Sequence, residues 1–137
     1  MNPILKNVLA VLAGLIGGGL VNMGLVTLGH TLVPVPEGVD LSSMESMKAT
    51  MHLFETKHYI FPFLAHALGT LVGAYLAARI AATRKMTLAM VIAVVTMVGG
   101  VVAVTQLAAP AWFNALDLIV AYLPMGWLGG KLAIGKK

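Results

Sequence analysis

Cysteine is absent from this chain of 137 residues, which removes disulfides, thiolate metal sites and cysteine nucleophiles from consideration. Charge is scarce as well. Only 10% of residues are Asp, Glu, Lys or Arg, against about 25–35% on a soluble protein surface. Serine occurs only at Ser42, Ser43 and Ser46, all in one polar segment, so no serine nucleophile is paired with a base. HExxH, P-loop and CxxC patterns are missing. These absences argue against an enzyme and imply no cofactor.

What remains is apolar, at 59% hydrophobic residues. The length fits a single domain, residues 1–137. A helix needs about 20 apolar residues to cross about 30 Å of hydrocarbon. Charge-free runs between Lys6 and Glu37, Lys57 and Arg79, and Lys85 and Asp117 hold three spans and the start of a fourth. The sequence predicts an all-α membrane protein, a bundle of four transmembrane helices at about 8–32, 59–82, 87–107 and 111–132. The first span is too long for a signal-peptide core and lacks an A-x-A-like site after it, so it is expected to stay as a helix. Pro124 lies inside the fourth span and predicts a kink near Val120–Pro124.

The charges are sorted by sign. Glu37, Asp40, Glu45 and Glu55 share the segment 33–58. Lys6, the Arg79–Lys85 connection and the tail with Lys131, Lys136 and Lys137 alternate with it along the spans. Basic residues beside spans are retained in the cytoplasm, so both termini are expected inside and 33–58 outside. The net charge of +4 follows from this sorting and forms no basic patch, so nucleic acid is not an expected partner.

Within the external segment Ser42 and Glu45 match the S-x-x-E capping box, opening a short amphipathic helix. Met44, Met47, Met51 and Phe54 recur on one face. Apolar packing is the simpler reading of that stripe. The same methionines beside His52 and His58 are soft ligands of the kind copper(I) takes, which is the less favoured alternative.

Small residues mark the faces where helices approach. Gly14 and Gly18, with Asn22 one turn on, do so in the first span; Gly69 and Gly73 in the second; Gly126 and Gly130 in the fourth. A weak repeat relates Tyr75–Ala81 to Trp127–Ala133, and either two similar hairpins or shared interfacial anchors would account for it.

The polar residues inside the spans carry the functional signal. An ionised Asp at a span centre costs about 2.5–3.5 kcal/mol, so Asp117 requires a partner. His66 lies at the matching depth, two turns into the second helix as Asp117 is into the fourth. Asn114, His30 and Gln106 are placed to join them near the outer ends. Such a group either fixes helix register or handles a proton, cation or small solute. The expectation is an oligomeric channel or carrier; the alternative is a structural or accessory subunit of a larger membrane complex. Its partners are then the lipid bilayer and copies of itself or other membrane subunits.

The strings Phe61–Ala74 and Leu116–Lys131, with the stretch from Pro34 to Asp40, resemble an uncharacterised family of small four-span bacterial inner-membrane proteins. The resemblance implies a bacterial inner-membrane setting and carries no function. The acidic first span of small multidrug exporters is missing, as is the Arg-containing signature of fluoride channels.

Overall fold

The computed structural model describes residues 1–135, which leaves Lys136 and Lys137 of the basic tail outside the described residues. Every regular element in it is helical. Four helical stretches, Pro3–Leu32, Thr56–Ile80, Lys85–Gln106 and Ala111–Ile134, are long and apolar enough to cross a membrane. The first is α1 (Pro3–Leu32). It starts five residues before the expected boundary because the Asn2 side chain accepts from the Ile4 N–H at 2.8 Å and Pro3 supplies a helix-ready φ. Lys6 is thus part of the helix.

The polar segment folds back in short pieces: α2 (Met44–Thr50), then two 3-10 turns at Met51–Leu53 and Thr56–Tyr59. The cap falls one residue later than the sequence suggests. Ser43, not Ser42, accepts from the Ser46 N–H at 3.0 Å, while Ser42 donates its N–H to Asp40 at 2.9 Å. Asp40 thereby competes for the first serine, and Glu45 stays outside the cap. A capping box does occur, between Glu55 and His58. Of the methionine stripe, Met51 is buried against Tyr59 and Phe113, with Phe54 packed on them. Met44 remains half exposed.

The next helix, α3 (Ile60–Ile80), is central and touches α1 and all the helices that follow. It leads through a tight turn into α4 (Lys85–Gln106), where Arg84 adopts a left-handed conformation with φ 49°. Asn7 of α1 closes that turn. Its side-chain oxygen accepts the N–H groups of Ala82 and Thr83 at 2.9 and 3.2 Å, and its amide donates to the Thr83 hydroxyl at 2.8 Å. The start of α1 and the α3–α4 turn therefore lie at one end of the molecule.

The fourth span is two helices, α5 (Ala111–Val120) and α6 (Leu123–Ile134). Pro124 has no N–H for the Val120 carbonyl and its ring crowds that group, so the ladder stops at Ala121 and resumes with Gly126 donating to Tyr122. The expected kink is thus a full interruption at Ala121–Tyr122.

Glycines set the helix separations, and they do so within one chain. A Cβ at Gly14 would stand 2.6 Å from the Gly73 carbonyl oxygen, and one at Gly18 2.5 Å from that of Gly69. Gly126 and Gly130 lie against Ala93 and Ala89 of α4, and Gly129 against the Leu71 carbonyl of α3. These pairings make α1 antiparallel to α3 and α4 antiparallel to α6, while α3 and α6 run the same way. Outward faces carry large aliphatic residues such as Ile16, Leu20, Val98 and Ile119, a surface suited to hydrocarbon. The architecture is that of a multi-pass membrane protein.

Candidate functional site

Asp117 is 3% exposed on α5, and its carboxylate is fully engaged. His66 Nδ1 lies 2.8 Å from Oδ1 and 3.0 Å from Oδ2, and the Tyr122 hydroxyl donates to Oδ2 at 3.0 Å. Since a carboxylate only accepts, Nδ1 carries the proton of this pair. The sequence brings them together simply. His66 and Asp117 each lie two turns into helices that run in the same direction, so their depths match.

Tyr122 was not foreseen, because positions five apart on an unbroken helix face different ways. The interruption before Pro124 swings Tyr122 back over Asp117. Its ring also stacks on the His66 imidazole with centroids 5.8 Å apart. The break in the fourth span therefore completes the coordination of the buried acid. Two donors, one of them able to carry charge, offset the cost of holding a carboxylate in hydrocarbon.

His66 also borders a cavity of about 240 Å³ between α1, α3 and α4. Polar groups on its wall are Asn22, Thr70, Thr96 and the Tyr122 side chain. Thr70 is buried and donates to the Thr96 hydroxyl at 3.1 Å, while Thr96 donates to the Ile92 carbonyl at 2.9 Å. Their signal in the sequence was weak, since threonines in spans read as ordinary β-branched packing residues. Asn22, expected as a packing residue beyond the Gly14–Gly18 pair, does abut Gly69 but also borders the cavity.

His66 Nε2 has no hydrogen-bond partner among the described residues. An imidazole fixed through Nδ1 presents Nε2 as acceptor or donor according to protonation, the arrangement used to move a proton or hold a ligand.

The other expected members of the cluster make no hydrogen bond to His66 or Asp117 among the described residues. Asn114 donates to the Ala109 carbonyl at 3.3 Å and holds the α4–α5 connection. Gln106 is exposed at the last position of α4. His30 is exposed and borders a shallow pocket with Lys57, His58 and Phe61. His30 and Gln106 sit on exposed positions, whereas Asn114 shares the face of Asp117 one turn away and spends its amide on the Ala109 carbonyl.

The histidines of the copper alternative have other contacts. His58 accepts the Glu55 N–H at Nδ1 and faces the Pro34 carbonyl through Nε2 at 3.2 Å, so both ring nitrogens are occupied. His52 Nδ1 is bound to the Ala49 carbonyl at 2.9 Å, and Met51 is buried in an aromatic cluster away from Met44. Among the described residues no group of three or more His, Asp or Glu is placed to hold a metal ion. No family model, curated protein or solved structure matches the chain.

Proposed function

We propose that this protein is a non-catalytic channel or carrier, assembled from copies of the chain in a bacterial inner membrane with both termini cytoplasmic. The observation that carries this reading is His66, pinned by buried Asp117, stacked on Tyr122 and bordering a cavity. A pair that served only to fix helix register would need neither the cavity nor the spare nitrogen. The site handles a proton, cation or small solute, with Asn22, Thr70 and Thr96 as additional polar wall. The acidic segment then faces outward and the Arg79–Lys85 turn inward, following the retention of basic residues.

An accessory subunit would use small-residue faces free to meet another chain. Gly14, Gly18, Gly69, Gly73, Gly126 and Gly130 are instead spent on contacts inside this one. Reconstitution into proteoliposomes tests the proposal. His66→Ala and Asp117→Asn are expected to abolish proton or cation flux while the oligomer still forms. Unchanged flux in both variants contradicts the proposal.

A further inference from the structure

The cavity beside His66 opens sideways. Gly19 of α1 and Gly99 of α4 both line it and both are exposed, and a Cβ on either would meet no atom within 4 Å. Their neighbours Leu20 and Val98 face outward and are 70% and 58% exposed. The mouth therefore lies on the apolar outer surface. At about 1.5 Å per residue, Gly19 is about 24 Å from the start of α1 and Gly99 about 21 Å from the start of α4. Both helices start at the end marked by Asn7 and the α3–α4 turn, so the two glycines stand at similar height. In a hydrocarbon layer about 30 Å thick, a mouth at that height meets acyl chains rather than water.

The lining limits what can occupy the cavity. It contains no Lys or Arg, so an anionic headgroup finds no fixed cation. It contains no Asp or Glu either, and Asp117 behind His66 is already bound by His66 and Tyr122, so a cationic headgroup finds no free carboxylate. What suits the wall is a neutral group with an oxygen for His66 Nε2. Its volume, about 240 Å³, is below the roughly 300–1,000 Å³ of drug-sized pockets and fits a single ring. Gly19 and Gly99 leave the two sides of the mouth without side chains, a shape that fits a flat molecule edge-on.

Taking the His66 cluster to be a ligand site, as above, we propose that it binds the ring of a lipid-soluble quinone or quinol. The ring slides in between Gly19 and Gly99 while the tail remains among the lipids. His66 Nε2 donates to a quinone carbonyl or accepts from a quinol hydroxyl; the same nitrogen serves either form, with Asp117 holding the imidazole in place.

The test is binding of decylubiquinone to the full chain in lipid nanodiscs, read as bound quinone above that of empty nanodiscs. Wild-type protein is expected to bind saturably. Gly19→Leu and Gly99→Leu place side chains in the open mouth and should weaken binding about tenfold or more. His66→Ala, losing one hydrogen bond at the ring, should weaken it by about tenfold. Gly24→Leu is the control: Gly24 also faces open space but does not line the cavity, and binding should be unchanged.

Absence of saturable binding by the wild type overturns the proposal, as does equal binding by the mouth variants and the Gly24 control. Failure here is distinguishable from failure of the carrier reading. His66-dependent flux without quinone binding leaves the carrier reading and removes the quinone. Quinone binding without flux does the reverse.

Discussion

Gly18 and Gly19 are adjacent on α1, and the structure predicts opposite consequences for the same substitution at each. A Cβ at Gly18 would lie 2.5 Å from the Gly69 carbonyl oxygen and 3.1 Å from the Gly73 Cα. Both obstacles are backbone atoms of a helix, which cannot rotate aside. Reaching ordinary contact distance requires α1 and α3 to part by about 0.9 Å, a strain of the overpacking kind worth about 1–3 kcal/mol. Separation also weakens the reciprocal approach of Gly14 to Gly73, where a Cβ on either would stand 2.6 or 2.7 Å from the other's carbonyl oxygen. At Gly19 the added methyl meets nothing, and replacing glycine in a helix interior gains about 0.5–1 kcal/mol. Gly18→Ala should therefore be less stable than Gly19→Ala by roughly 1.5–4 kcal/mol. The assay is reversible unfolding in SDS-containing mixed micelles, followed by energy transfer between fluorophores on α1 and α3. Equal stability of the two variants would refute the α1–α3 packing described here.

Other expectations follow from single contacts. Asn7→Ala removes three hydrogen bonds to the Ala82–Thr83 turn and should destabilise the α1/α3–α4 end by about 1–3 kcal/mol, visible as faster amide exchange at Ala82 and Thr83. Tyr122→Phe leaves Asp117 with His66 alone and should lower stability by about 1.5–3 kcal/mol in the same unfolding assay. Hydrogen bonds from the Ser42 hydroxyl and then the Ser42 N–H hold the Asp40 carboxyl below the usual carboxylate range. Because that value is lowered on folding, the stabilisation is present above the ordinary carboxylate range and lost as pH falls through the lowered value. Carbon-13 titration of the Asp40 side chain should show the low midpoint in the wild type and a higher one in Ser42→Ala.

Much of the helix pattern was legible because membrane thickness and charge placement constrain it strongly. Boundaries were less so. The α1 start depended on the Asn2 cap, and the α2 start on competition between Asp40 and the serines. His66 and Asp117 could be paired from depth, since two helices beginning at the same end must present equal heights. His30 and Gln106 show the limit of that reasoning, as height does not fix direction around a helix, and Asn114 shows another, since its amide is taken by the Ala109 carbonyl. Tyr122 needed the distortion before Pro124, which the sequence announced without giving the resulting direction of the side chain. The cavity was illegible because it is a property of three helices at once: glycines that close the α1–α3 contact leave α1 and α4 apart at Gly19 and Gly99.

The central claim is that His66, held through Nδ1 by Asp117, presents a free Nε2 to the cavity. Magic-angle-spinning NMR of protein labelled with 15N-histidine and 13C-aspartate, in lipid bilayers, tests it most directly. The account predicts a protonated Nδ1 correlated with the Asp117 carboxyl carbon at His66 alone among the four histidines, and an Nε2 resonance that moves when ligand is added. A His66 ring without that correlation, or an Nε2 signal indifferent to every proton, cation and quinone probe, would contradict it.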